Sequence, residues 1–131
     1  MRCLIVEDDP YLAEMLCNCL EDQGLLVQTA SRISDGLASL RRAKYDLILL
    51  DYHLPDGNSI ALSDQASISC PNCRIILLTG SEVFPFGEYA TFAPGIDWIL
   101  RKPVSLPDLR AMVDYALRDA ALRPTVAHAF S

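Results

Sequence analysis

Five polar side chains that could do chemistry stand at the ends of four short apolar runs. They are three acids, a hydroxyl and an amine: Glu7, Asp8, Asp51, Thr79 and Lys102. Near-continuous runs of Ile, Leu and Val are typical of strands that are buried on both faces of a parallel sheet. Because ligand sites of open parallel sheets lie beyond the carboxyl ends of the strands, we expect these five side chains to meet at one edge.

The expected cluster suits phosphoryl chemistry on a divalent cation. Neighbouring carboxylates repel one another unless a cation or protons intervene. Mg²⁺ takes oxygen ligands, keeps several waters and needs only one or two protein carboxylates, whereas zinc prefers His or Cys, which no strand end supplies. An aspartate beside Mg²⁺, a lysine and a hydroxyl can accept a phosphoryl group, with the carboxylate as the nucleophile and the cations neutralising charge.

Five strands that alternate with five helices would position these residues. The predicted strands are 2–6, 25–29, 46–50, 74–78 and 97–100. The predicted helices are 10–23, a second that opens at 31–34, a third over about 58–69, a short one around 88–92, and a last one after Ser105. This alternation predicts an α/β fold, a doubly wound five-stranded parallel sheet.

Helix start signals support two of these predictions. Asp9 followed by Pro10 predicts an N-cap with proline at the first helical position. Ser105 precedes Asp108 by three residues, which is the spacing of a capping box. Gly24 predicts the end of the first helix. The segment 53–57, His-Leu-Pro-Asp-Gly, predicts a loop.

Composition excludes several classes of function. The chain has 131 residues, 51% of them hydrophobic, and a net charge of −6, which suits one domain with a single core. No cluster of Lys and Arg predicts direct nucleic-acid binding. No apolar run is long enough for a signal peptide or for the roughly 20 residues of a membrane span. We therefore expect a cytoplasmic protein without a membrane or nucleic-acid partner.

The five cysteines are expected to be reduced thiols. An odd number without a secretory signal argues against a disulfide framework. Cys70 and Cys73 have the spacing of a redox or metal pair, but they precede a predicted strand and no second pair completes a zinc ribbon. We interpret this segment as a loop that leads into the fourth strand.

Four segments carry a family resemblance. They are LIVEDDP at 4–10, DLILLDYHLPDG at 46–57, LLTGS at 77–81 and GIDWILRKP at 95–103. Their order and spacing resemble the receiver domain of two-component response regulators over residues 2 to about 119. The resemblance implies a flavodoxin-like strand order of 2-1-3-4-5. It also implies a receiver domain over 1–120, followed by a C-terminal tail at 121–131 that is no output domain.

The resemblance further implies a metal site around the phosphoacceptor. Asp51 corresponds to the phosphoacceptor and Asp8 to the direct Mg²⁺ ligand, while Glu7 corresponds to the acid that holds metal-bound water. His53 would lend its backbone carbonyl to the metal. These four residues are the expected ligands of Mg²⁺.

The same resemblance implies partners and a switch. Thr79 would bind the phosphoryl group through its hydroxyl, and Lys102 would pair with it, with a cis bond to Pro103. The phosphoryl donor would be a sensor histidine kinase or a histidine phosphotransfer protein, and a downstream protein would recognise the phosphorylated form. Apart from slow self-dephosphorylation, no enzymatic activity is expected.

Departures from the family pattern leave two alternatives open. Ile99 stands three residues before Lys102, where response regulators usually carry a switching Tyr or Phe, and Gly80 replaces the common Ala. A degenerate receiver that binds partners without phosphorylation is therefore the first alternative. The second is a phosphohydrolase of the haloacid dehalogenase type, but that class wants an Asp two residues after the nucleophile, and His53 stands there.

Overall fold

The computed structural model describes residues 1–80 and 95–130 of the chain, without the side chains of Asn58 and 119–130. Its strands are β1 (Arg2–Val6), β2 (Leu26–Ala30), β3 (Leu47–Asp51), β4 (His53–Leu54), β5 (Gly57–Asn58), β6 (Arg74–Thr79) and β7 (Trp98–Arg101). Its helices are α1 (Pro10–Asp22), α2 (Ile33–Arg42), α3 (Ile60–Ser69) and α4 (Leu106–Phe130). The helix predicted around 88–92 lies outside the described residues.

Five parallel strands form the central sheet in the order β2-β1-β3-β6-β7. The short strands β4 and β5 form a separate antiparallel hairpin. With that hairpin set aside, the order is the predicted 2-1-3-4-5, and the doubly wound α/β fold is confirmed.

Two apolar layers, one on each face of the sheet, hold the helices. Alternate residues of β1 point to opposite layers, so that Leu4 packs with α2 and α3 while Ile5 packs with α1 and α4. Every residue of β3 and β6 is buried. The central strands therefore lack an exposed face, which explains why their sequences are continuous apolar runs instead of alternating ones.

Helix caps confirm the two predicted start signals. The Asp9 carboxylate accepts hydrogen bonds from the backbone N–H of Tyr11 at 3.0 Å and of Leu12 at 3.4 Å. Ser105 Oγ accepts a hydrogen bond from the N–H of Asp108 at 3.4 Å. These bonds satisfy N–H groups in the first helical turn that have no intrahelical partner.

The last helix continues to Phe130 and so includes residues 121–130, which the sequence assigned to a tail. The division into a domain over 1–120 and a tail over 121–131 stays a prediction. None of the helices within the described residues combines the length and the apolar character that crossing a membrane requires.

The cysteines are free thiols. Cys70 and Cys73 are buried, and the segment between them is a turn that leads into β6, with the N–H of Cys73 donating to the carbonyl of Cys70 at 3.0 Å. Burial raises the pKa of Cys73 well above its ordinary value. A buried thiol that resists ionisation is a poor nucleophile and a poor metal ligand, so Cys73 contributes to packing.

Candidate functional site

Four neighbouring strands bring the predicted site residues to one edge of the sheet. Glu7 directly follows β1, Asp51 ends β3, Thr79 ends β6, and Lys102 directly follows β7. Because these strands are adjacent and parallel, their carboxyl ends lie at the same edge. The apolar runs thus determine where the polar residues meet.

Three carboxylates form an acidic cluster at this edge. One oxygen each of Glu7, Asp8 and Asp51 lies within 4.8 Å of the others. Glu7 and Asp51 are buried, with exposed fractions of 2% and 5%, while Asp8 is exposed to solvent. Such a half-open set of oxygen ligands can bind one cation that keeps several of its waters.

Lys102 places its ammonium group between two of these acids. Its Nζ lies 3.3 Å from Asp51 Oδ1 and 3.1 Å from Glu7 Oε2, and it donates a hydrogen bond to Glu7 Oε1 at 3.4 Å. The bond between Lys102 and Pro103 is cis, as the resemblance implied. The lysine therefore lies close enough to Asp51 to neutralise charge on a group bound there.

Burial makes the acidic cluster reluctant to ionise fully. Burial and, second, the charge of Asp51 raise the pKa of Glu7 to about 7, although Lys102 opposes the shift. Burial also raises the pKa of Asp51, with Lys102 opposing and Asp8 adding to the rise. Burial lowers the pKa of Lys102, but the charges of Glu7 and Asp51 outweigh it and leave that pKa raised. With three carboxyl groups and only one amine, the cluster can therefore accept a further positive charge.

The residues fit a hard divalent cation. Glu7 Oε2 is buried and accepts no hydrogen bond among the described residues, although Lys102 Nζ lies 3.1 Å away. All three clustered ligand atoms are carboxylate oxygens, which Mg²⁺ and Ca²⁺ prefer and zinc does not. A cation here would satisfy the unpartnered oxygen and reduce the repulsion among the acids.

Thr79 and His53 are placed less directly. Thr79 is buried and follows Leu78, which is the residue of β6 that pairs with Asp51 in the sheet. The Thr79 hydroxyl donates a hydrogen bond to the carbonyl of Gly80 at 3.3 Å. The His53 side chain is exposed and packs edge-to-face on Tyr52, with ring centroids 4.8 Å apart. The imidazole is no member of the acidic cluster, and the role of the His53 carbonyl stays a prediction.

The sequence did not predict the hairpin beside the site or the contact made by its Asp56. The segment 53–58 forms β4 and β5 where a loop was expected. At its tip, Asp56 accepts hydrogen bonds from the backbone N–H of Ile33 at 2.9 Å and of Ser34 at 3.1 Å. The Pro55-Asp56-Gly57 turn, with Gly57 at φ +131°, was the available signal for a tight turn.

Curated relatives are similar to this chain over its receiver-like part. The transcriptional activator protein PfeR of Pseudomonas aeruginosa is 34% identical over 121 residues, which cover 92% of this chain and 39% of PfeR. The cell cycle transcriptional regulator CtrA of Caulobacter vibrioides is 31% identical over 118 residues, covering 90% of this chain and 51% of CtrA. The chain spans about half or less of the length of these relatives.

Solved structures share the fold. A CheY-like response regulator receiver domain protein from Methanospirillum hungatei superposes with a TM-score of 0.83 at 29% identity, covering 92% of this chain and 95% of that one. The response regulator TrrA from Thermotoga maritima, solved in complex with Mg²⁺ and BeF, gives a TM-score of 0.74 at 24% identity. The match covers 88% of this chain and 97% of TrrA.

The family model described as the response regulator receiver domain matches residues 3–114. This range includes the carboxyl ends of the four strands at which the acids, Thr79 and Lys102 lie. The chain belongs to the receiver domain family of two-component response regulators.

Proposed function

We propose that this chain is a phosphoacceptor in which Asp51 takes a phosphoryl group from a phosphohistidine. The donor would be a sensor histidine kinase or a histidine phosphotransfer protein. The observation that carries the proposal is the position of Lys102 Nζ, 3.3 Å from Asp51 within a cluster of three carboxylates. A turn residue or a surface cap would not need this combination of a buried acid, a lysine and two further acids.

The proposed transfer uses the chain's own groups as follows. A carboxylate oxygen of Asp51 attacks the phosphorus, the P–N bond of the phosphohistidine breaks, and an acyl phosphate on Asp51 results. The Lys102 ammonium pairs with the phosphoryl oxygens in place of the carboxylates, and the Thr79 hydroxyl donates to one of them. Mg²⁺, when bound, supplies further positive charge there, held by Glu7, Asp8, Asp51 and the backbone carbonyl of His53.

Burial of Asp51 favours this chemistry. Asp51 is buried, so that positive groups around its carboxylate act more strongly than they would in bulk solvent. The complex of TrrA with Mg²⁺ and BeF is consistent with a phosphorylation site that uses Mg²⁺. We therefore propose Mg²⁺ as the physiological cation.

The phosphorylated form would act through another protein. An acyl phosphate carries about 1.5 to 2 negative charges in place of the single charge of the carboxylate, and this change shifts the equilibrium of the surrounding loops. We propose the cytoplasm as the location and a downstream protein as the target, with no direct contact to nucleic acid or membrane. Slow self-dephosphorylation would time the signal, without turnover of a metabolite.

The test is phosphorylation with a small donor. The protein is incubated with acetyl phosphate and Mg²⁺, and its intact mass is measured. We expect a gain of one phosphoryl group that disappears in Asp51→Asn and persists in Asp64→Asn, a control at an exposed position of α3. The absence of a mass gain would indicate a degenerate receiver, as the unusual Ile99 would allow, and a gain that survives Asp51→Asn would refute Asp51 as the acceptor.

A further inference from the structure

Helix α2 begins without a cap from its own sequence. Its N-cap residue is Arg32, whose side chain makes no capping hydrogen bond. Asp56, more than 20 residues further along the chain, provides the cap instead, through the bonds to the N–H of Ile33 and Ser34 described above. The two bonds use different carboxylate oxygens, Oδ1 and Oδ2, so that both oxygens of Asp56 are engaged.

The charge of Asp56 suits this position. An anion at a helix N-terminus is favoured by the free N–H groups and by the helix dipole. The hydrogen bond from the N–H of Ile33, followed by that from Ser34, lowers the pKa of Asp56, so the carboxylate stays ionised. The contact therefore persists throughout the neutral pH range.

Other contacts hold the β4–β5 hairpin at its base and, next to the tip, through the side chain of Leu54, which pairs with Gly57. The N–H of Ser59 donates to the carbonyl of Tyr52 at 3.1 Å, and the N–H of Tyr52 donates to the carbonyl of Leu78 at 2.9 Å. Leu54 is buried in the same apolar layer as Ile33. Among the hydrogen bonds described for this part of the chain, those of Asp56 are the ones that join the tip to another element.

We propose that Asp56 is a positioning residue for the phosphorylation site, because its bonds to α2 fix the hairpin whose first strand contains His53. The inference rests on the proposed function in one respect: the His53 carbonyl is a proposed metal ligand. His53 lies between Asp51 and Asp56 in the chain, so a tip that is free to move would also move the main chain of His53. Groups that orient metal ligands without contacting the metal themselves typically contribute 10- to 100-fold to metal affinity.

The same contacts would be present if Asp56 only capped α2 and had no effect on the metal site. If Asp56 only stabilises α2, any other cap at that helix end should replace it. Arg32 offers the means to separate the two roles, since its extended backbone (φ −142°, ψ 160°) suits a Ser side chain as a local N-cap. The double variant Asp56→Ala/Arg32→Ser would restore a cap to α2 while leaving the hairpin tip without its hydrogen bonds to that helix.

The experiment compares Mg²⁺ affinity by isothermal titration calorimetry in four proteins. They are the wild type, Asp56→Asn, Asp56→Ala and Asp56→Ala/Arg32→Ser. We expect the Kd for Mg²⁺ to rise about tenfold in Asp56→Ala and to stay raised in the double variant, even where Arg32→Ser recovers the lost stability. Asp56→Asn retains one acceptor oxygen, so its Kd for Mg²⁺ should lie between those of the wild type and Asp56→Ala. An unchanged Kd in Asp56→Ala, or full recovery in the double variant, overturns the proposal.

A metal-free measurement tests whether Asp56 fixes the hairpin, separately from phosphorylation. Hydrogen exchange of the Ser59 amide, which donates to Tyr52 at the base of the hairpin, should be about tenfold faster in the two Ala variants than in the wild type. If the wild type takes up no phosphoryl group while this difference holds, the proposed function fails, but Asp56 still holds the hairpin in place. Should Ser59 exchange equally in all four proteins, the positioning role fails whether or not Asp51 is phosphorylated.

Discussion

Without metal, the stability of this receiver should fall as pH rises from about 4.5 to 7. Glu7 has a pKa of about 7 in the folded protein against 4.5 as its ordinary value, so the folded state holds a proton more tightly than the unfolded chain. A carboxyl group whose pKa is raised by folding lowers the free energy of unfolding, and this loss grows as the pH rises from the unfolded pKa to the folded pKa. Asp51, whose pKa is also raised, acts in the same direction. Lys102 stays charged in both states over this range and adds no slope.

The size of the effect follows from the difference of about 2.5 pKa units. At about 1.4 kcal/mol for each unit, ionised Glu7 costs ~3 kcal/mol of folding free energy at pH 7 and above. We expect urea unfolding in EDTA to show that the wild type loses about this much between pH 5 and 8 relative to Glu7→Gln. Glu14→Gln, on the exposed side of α1, is the matched control and should run parallel to the wild type.

Mg²⁺ should reverse the penalty because it binds the ionised cluster in the folded state. At a Mg²⁺ concentration of 100 times Kd, the free energy of unfolding at pH 8 would rise by about 2.7 kcal/mol. Wild-type and Glu7→Gln stabilities that change in parallel between pH 5 and 8 would refute the assignment of a raised pKa to Glu7. An equal response of both proteins to Mg²⁺ would refute the role of Glu7 at the metal.

Three further substitutions test the site and the fold that positions it. Asp8→Asn should raise the melting temperature of the metal-free protein, since it removes a negative charge that acts on Asp51, and should abolish most of the increase that millimolar Mg²⁺ causes. Lys102→Met should slow phosphorylation by acetyl phosphate on the order of a hundredfold, measured by intact mass against time, while an unchanged rate would exclude charge neutralisation by the lysine. Leu49→Ala, at a fully buried position of β3, should cost about 2 to 5 kcal/mol in urea unfolding, and a smaller loss would mean that the core closes around the cavity.

The central part of the fold and the site could be predicted from the sequence because both depend on the strands. A strand buried on both faces is apolar over most of its length, so β3 and β6 are visible as apolar runs that end at Asp51 and Thr79. Parallel pairing then leaves one edge at which polar residues can meet. The distance of 3.3 Å between Lys102 and Asp51 follows from this arrangement, although no local pattern contains both residues.

Features that depend on contacts between distant backbone groups were not predictable. The β4–β5 hairpin has only two residues in each strand, too few for an alternating pattern to appear. Asp56 bonds to N–H groups of α2, and backbone groups leave no trace in the sequence. Helix α3 has weak periodicity because polar Ser63 is buried on it, its hydroxyl satisfied by the carbonyl of Ile60 at 2.8 Å.

The ion pair between Glu7 and Lys102 joins residues that are 95 positions apart, one after the first strand and the other after the last. A chain that has not yet been synthesised as far as Lys102, or one in which β7 has detached from the sheet, lacks the amine that lies beside Glu7 and Asp51. Such a chain would be a poor acceptor for any kinase. Under the proposed function, phosphorylation at Asp51 would therefore require that β7 has paired and brought Lys102 to the site.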